Sequence, residues 1–375
     1  MKTTTQHNTT QHNTPDKFSS WTILMYMCTL FFCLSGHHSL QAQNPFECHT
    51  GSVMNGEGIN IQGNTPIAPC WPISTQPCKN TLSYAPDPDF PEHTPIRYVR
   101  IVLHIFQNSS APVLPPGNFT NSLEHINVLK SWFHHPTAGL NARMANLCDP
   151  QPKVPGFETP FISDSRLRFI FEGTENKDIF FYNHPGYWAA GHYCGLNLHN
   201  SMYNFAVTNN SIVNSDPDLL NAVHVFLTGA SACGSSYNYG GGGYTIMNRS
   251  CGRTSNQLGI VLYGQFYEYI YDLTGQPPVP NFTDIPPNQI DIPYGGNGIL
   301  SEFLHMASID HPCCNSHLSG GDQCNDTPHN MQTSNNVQQT FYQGSLLHES
   351  LRCAFTQCQL GRLHHFFEHL QPDWQ

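Results

Sequence analysis

One stretch of this 375-residue chain is apolar enough to engage a membrane: Trp21 to Ser35, WTILMYMCTLFFCLS. Its 15 residues fall short of the roughly 20 a spanning helix needs and match the apolar centre of an export signal. SLQA follows, with Ala42 the expected last residue before cleavage. The lead-in from Met1 to Ser20 is long and poor in positive charge, which leaves an uncleaved anchor as the other reading. No second long apolar run exists, so the mature chain is expected to have no membrane span. Export sets the redox conditions of folding. Of 14 cysteines, Cys28 and Cys33 lie in the apolar run, leaving twelve, an even count that reads as disulfides. Local pairs such as Cys70/Cys78 and Cys353/Cys358 are expected candidates. Metal-bound thiolates are the other reading, but no two C-x-x-C pairs occur.

Charged residues make up only 11% of the chain, Gly and Pro number 29 each, and the formal net charge is −11. That composition fits a loop-rich exported protein and argues against nucleic acid or anionic membrane as partners. The lead-in and the QAQNPF junction fit a bacterial export signal, with the periplasm and the cell exterior both open as destinations. The Asn-x-Ser/Thr sites at Asn108, Asn118, Asn248 and Asn281 are then incidental. A monomer is expected.

Three regions follow: 1–42 as signal peptide, 43–94 as a Cys/Pro-rich segment without period and a candidate pro-segment, and 95–375 as the folded domain. In the last, Arg97 to Phe106 reads as a buried strand, and Thr120 to His134 has helical spacing. Ser165 to Phe171, Leu220 to Thr228 and Gly259 to Tyr263 read as further strands. Tyr267 to Leu273 is ambiguous between helix and strand. YGGGGY, Tyr239 to Tyr244, reads as a loop, and without a following G-K-[ST] it makes no phosphate cradle. A helix with the apolar stripe Ile299, Leu300, Phe303, Leu304 and Ala307 is expected, capped by Asn297. A final helix runs from about Cys358 to Leu370. Strands and helices in this order make an α/β or α+β domain.

The Ile299 helix carries the pattern of most chemical interest. In H-E-x-x-H-x-x-G-x-x-H, two histidines one turn apart bind zinc, the Glu activates the zinc-bound water, and a third His follows a glycine turn. Here that register holds Ser301, Glu302, His305, Ser308 and His311. Taken alone the match is weak, because the chain has 22 histidines; His305 then reads as an ordinary helix residue and His311 as a loop residue.

Downstream, GDQCNDTP (Gly321 to Pro328), SNNV (Ser334 to Val337) and TQCQLGRLH (Thr356 to His364) follow in order. Together with the helix they resemble the pappalysin-like branch of the metzincin zinc metallopeptidases, closely over Gly295 to Phe366 and loosely over Arg97 to Tyr263. The resemblance implies a twisted mixed sheet with a backing helix and the zinc-motif helix. It also implies a cleft below the edge strand and an irregular, disulfide-bonded C-terminal subdomain, with Cys314, Cys324, Cys353 and Cys358 at positions that often bridge. It implies zinc-dependent peptide hydrolysis, and calcium in some members. Asp322 and Asp326 are the candidate calcium donors, with capping and hydrogen-bonding of the loop as the other role for Asp326 and Thr327.

Three departures fall at the site. Ser301 replaces the first His ligand, leaving His305 and His311 where catalytic zinc takes three protein ligands. Ser308 replaces the turn Gly, and Gln338 stands where the Met-turn methionine is expected. Zinc is therefore expected to bind weakly or not at all. The expected function is an exported pseudo-protease that binds a peptide, protein or glycan. The alternative is an active zinc endopeptidase with a substitute ligand, for which Asp310, Cys313, His317, His104 and His192 are candidates. A second alternative is a disulfide-bonded surface or adhesion protein using the patch Tyr237 to Tyr244. Other histidines, including His184, His199 and His224, show no ligand spacing.

Overall fold

The computed structural model describes residues 47–48, 82–109, 117–150, 160–190, 199–233, 236–238, 242–246, 259–274, 294–306, 309, 324, 326, 339–340 and 352–369. All lie in one compact unit, Asn44–Gln375; Met1–Gln43, where the signal is expected, lies outside the described residues.

The elements run β1 (Glu47–Cys48), β2 (Arg97–Gln107), α1 (Leu123–His134), α2 (Leu140–Ala145), β3 (Leu167–Ile170) and β4 (Ile179–Asn183). A helical stretch follows: α3 (Pro185–Trp188), α4 (His199–Tyr203), one π turn (Asn204–Thr208), α5 (Ser211–Ser215) and α6 (Pro217–Leu220). Then come β5 (Val223–Thr228), β6 (Ser231–Cys233), β7 (Ser236–Asn238), β8 (Gly242–Ile246), β9 (Gly259–Tyr263), α7 (Gln265–Thr274) and α8 (Tyr294–Met306). β10 (Gln339–Thr340), β11 (Arg352–Ala354) and α9 (Gln357–His369) complete the described chain.

The architecture is mixed α/β. The main sheet has the order β1-β8-β9-β5-β2-β3, with β4 pairing the second half of β2. Its strand pairs are parallel except β8 against β9. β2 is its longest strand, pairing β3, β4 and β5, and both faces of that strand are covered, which is why its sequence is a nearly continuous apolar run. Val99, Ile101, Leu103 and Ile105 point into one core with Trp132 and Phe133 of α1, Phe303 of α8 and Phe367 of α9. Val102 and Phe106 point into the other, against Phe180, Trp188, Tyr203, Val213, Leu219 and Phe226.

Several expected elements stand within a few residues of their predicted bounds: β2, α1, β3, β5, β9 and α9. The ambiguous segment at Tyr267 is helical, as part of α7. Other expectations are corrected. Helix α8 begins at Tyr294, so Asn297 lies inside it and does not cap it. Its glycines read as loop in the sequence but serve close packing: a Cβ on Gly296 would stand 2.9 Å from the Trp132 carbonyl oxygen. The YGGGGY run is not all loop, since its last three residues open strand β8. β4, IFFYN, was not predicted, and the helices between Pro185 and Leu220 were hidden by Asn- and Asp-rich sequence. There those residues cap: Asn210 accepts from Ile212 and Val213 N–H, and Asp216 from Asp218 N–H.

The cysteines pair differently from the local expectation. Cys353 bonds Cys148, 205 residues away, and Cys358 bonds Cys324, so a Cys353/Cys358 bridge is excluded. The Cys148 amide also donates to the Cys353 carbonyl. The first bridge ties the C-terminal region to the body, and the second lies within that region. The end of the N-terminal segment is tied there as well, with Tyr84 edge-on to His365 at 4.9 Å. Cys70 and Cys78 lie outside the described residues. Among the described residues no helix is long and apolar enough to cross a membrane.

Candidate functional site

Helix α8 is buried on every described side. Ile299, Leu300, Phe303, Leu304 and Met306 enter the core, and Ser301 and Glu302 are buried with them. Ser301 and His305 sit one turn apart and therefore share a helix face. The His305 side chain, together with Ser308, His311, Asp322 and Gln338, lies outside the described residues, as do Asp310, Cys313, His317 and His192.

Glu302 is fully buried, and what makes room for it is the absence of a side chain opposite. A Cβ on Gly243 would stand 3.1 Å from both Cγ and Oε1 of Glu302, and 2.6 Å from Leu262 Cδ2. Gly243 lies on β8, directly opposite Leu262 of β9. The Gly-rich run thus lays bare backbone beside a carboxylate. Gly243 was missed as a site residue in the sequence, although the run of four glycines was its signal. On the outer side of β8, β1 adds in parallel, with Glu47 opposite Gly242 and Cys48 opposite Gly243. A segment of the candidate pro-region therefore runs along the strand that flanks Glu302.

A catalytic zinc needs three imidazole, thiolate or carboxylate ligands. At the first ligand register the donor is the Ser301 hydroxyl, which is short and neutral. Among the described residues the one three-donor cluster within metal distance is Cys324, Asp326 and Cys358, and its two sulfurs are bonded to each other. The described residues do not fit zinc. His104 is no substitute ligand: it is on β2 with the even-numbered side chains, on the sheet face opposite α8, bonded to His224. His224 itself is fully buried and hydrogen-bonded.

The TQCQLGRLH segment has a structural explanation. Thr356 Oγ1 accepts from Gln359 N–H at 3.3 Å, while Gln359 Oε1 accepts from Thr356 N–H at 3.1 Å, a reciprocal capping box at the start of α9. Asp326 Oδ2 accepts from Cys358 N–H at 3.1 Å in the same turn, which is a capping role. His364 is buried. Its Nε2–H donates to the Ser165 carbonyl at 2.8 Å, and Nδ1 accepts from Arg97 Nε at 3.3 Å. Burial lowers its pKa to about 4, so the ring is neutral at pH 7.

The far edge of the sheet offers an open groove of about 700 Å³ beside β3, lined by residues including Tyr98, Lys130, His134 and Arg168. Strand addition there is blocked by side chains. Asn141 bonds both peptide groups of Phe169, at 2.7 and 2.8 Å. Phe171 O accepts from His134 Nε2, and Leu167 O accepts from Arg168.

No family model and no curated protein sequence matches this chain. Solved structures of mirolysin are similar. "Tannerella forsythia mature mirolysin in complex with a cleaved peptide" is 14% identical and covers 74% of this chain and 94% of that one, with a TM-score of 0.37. "Mirolysin in complex with compound 9" is 12% identical and covers 75% and 96%, also with a TM-score of 0.37.

Proposed function

We propose that this chain is an exported pappalysin-like metzincin scaffold that has lost zinc hydrolysis and binds a peptide, protein or glycan in the cleft flanked by β8. The observation that carries this reading is the pair Ser301–Glu302. The base position is kept and buried against Gly243, while the ligand position one residue earlier is a hydroxyl. The ordered segments after α8 support descent from the family, and the capping box and buried His364 explain why Thr356, Gln359 and His364 persist without catalysis. Residues 43–94 are read as a pro-segment, and the pairing of Glu47–Cys48 with β8 supports that reading. Calcium at Asp322 and Asp326 remains part of the proposal only if Ca²⁺ raises the melting temperature. The capping contact from Cys358 favours the simpler role for Asp326.

Metal analysis of the wild type beside Ser301→His tests the central claim. One zinc per chain in the variant and none in the wild type is expected. Stoichiometric zinc in the wild type, with chelator-sensitive proteolysis abolished by Glu302→Gln, overturns it in favour of an active endopeptidase with a substitute ligand.

A further inference from the structure

The sheet face opposite α8 holds a polar centre that the proposed function does not use. His104 of β2 and His224 of β5 are both fully buried, with His104 Nε2 and His224 Nδ1 2.9 Å apart. His104 Nδ1 lies 3.2 Å from the Tyr182 hydroxyl on β4, and Asn210 Nδ2 donates to that hydroxyl at 3.0 Å. At the other end His224 Nε2 meets the Leu220 carbonyl at 3.5 Å.

The chemistry of the ends fixes every proton between them. The Tyr182 oxygen accepts from Asn210, so its hydroxyl hydrogen is free to go to His104 Nδ1. That leaves His104 protonated at Nε2, donating to His224 Nδ1. His224 is then protonated at Nε2, where the carbonyl of Leu220 can only accept. Both ends impose the same direction, and both rings are neutral.

A further proton has no place in this chain. Added to His224 Nδ1 it faces the Nε2–H of His104; added to His104 Nδ1 it faces the Tyr182 hydroxyl hydrogen. The surroundings offer no compensation. Among the described residues, the groups packed on the pair are Phe180 and Tyr182 of β4, Phe226 of β5 and Tyr203 of α4, and no carboxylate among them contacts either ring. Burial pushes both imidazoles down, His224 to about 4, and His104 is lowered further by His224 itself.

The chain also joins separate elements. Asn210 caps α5 and Leu220 ends α6 two residues short of β5, so Tyr182 of β4 meets the start of that helical pair through Asn210, and His224 reaches the carbonyl at its end. We propose that the His104–His224 chain is an acid-operated latch, which below neutral pH releases the helical layer 199–220 from the sheet while the rest of the sheet stays folded. Release would uncover the faces of Phe106 and Phe226.

Hydrogen exchange of the full chain, followed by mass spectrometry between pH 7 and 5 and corrected for intrinsic rates, tests it. For peptides within 199–222 the opening constant should rise about tenfold per pH unit for one proton taken up, and up to about a hundredfold for two. Peptides of β9, paired on both sides, open only with the whole domain, so at each pH their opening constant should lie well below that of 199–222. A flat profile in 199–222, or an opening constant there equal to that of β9 at each pH, overturns the latch. In His104→Leu/His224→Leu the slope in 199–222 should vanish; a folded double variant that keeps it also overturns the proposal. If that variant does not fold, the wild-type comparison of 199–222 with β9 decides.

Discussion

The two faces of the central sheet bury polar groups by opposite means. On the α8 face the strands line the core with apolar side chains, and the buried polar groups Ser301, Glu302 and His364 come from helices, Glu302 fitting because Gly243 has no side chain. On the other face the strands themselves contribute imidazoles, and each ring nitrogen of His104 and His224 has a partner. The first arrangement depends on space and the second on a closed chain of donors and acceptors. A packing change should therefore disturb the first, and a pH change the second.

The largest expected effect probes the α8 face. Phe303 packs edge-on to Phe169 and stacks near Phe367. Phe303→Ala should cost about 3–5 kcal/mol in denaturant unfolding, with an unchanged m-value if both faces unfold together. A cost under about 1 kcal/mol would show that α8 is not part of the cooperative core. Next is His364, the one imidazole on that face with a resolved large shift. Its folded pKa near 4 lies below the ordinary 6.5, so the folded chain binds fewer protons between those values. Its contribution, on the order of 3 kcal/mol, is complete above about pH 6.5 and is lost as pH falls toward 4. His364→Leu should flatten the pH–stability curve in that window; an unaltered curve would mean the acid response resides on the other face.

A third test targets the contrast itself. Gly243→Ala should cost about 1–3 kcal/mol by overpacking against Glu302 and Leu262. Glu302→Ala in the same chain should recover part of that cost, and the cycle should give a coupling above about 0.5 kcal/mol. Simple additivity would mean that the glycine is needed for something other than the carboxylate.

What was legible in the sequence follows from these differences. β2, β5 and β9 were readable because they are apolar and bounded by turn residues, and α1 because its apolar side falls on a helical period and Ser122 caps it. The order of segments after α8 exposed the family likeness. The helices from Pro185 to Leu220 were not readable, since a run of Asn, Ser and Asp signals a loop whether it forms turns or caps short helices. The histidine pair was invisible because 120 residues separate its members. The partner of Cys353 was invisible for the same reason, as a disulfide closing a long loop leaves no local trace. The glycine run was ambiguous, for glycine marks a flexible loop and a close approach of backbone to side chain in the same way.

The smallest effect bears most directly on how the family likeness should be used. Thr356 and Gln359 sit in a segment whose sequence resembles one of the zinc peptidases, and here they bond each other across the first turn of α9. Thr356→Ala should cost about 1 kcal/mol, the ordinary value of a lost cap. Gln359→Ala should cost a similar amount, and the double variant less than the sum, because each residue serves the other. The ligand binding proposed beside β8 should be unchanged in all three. A variant that kept its stability but lost binding would place these residues in the site, and the segment would then report function as well as descent.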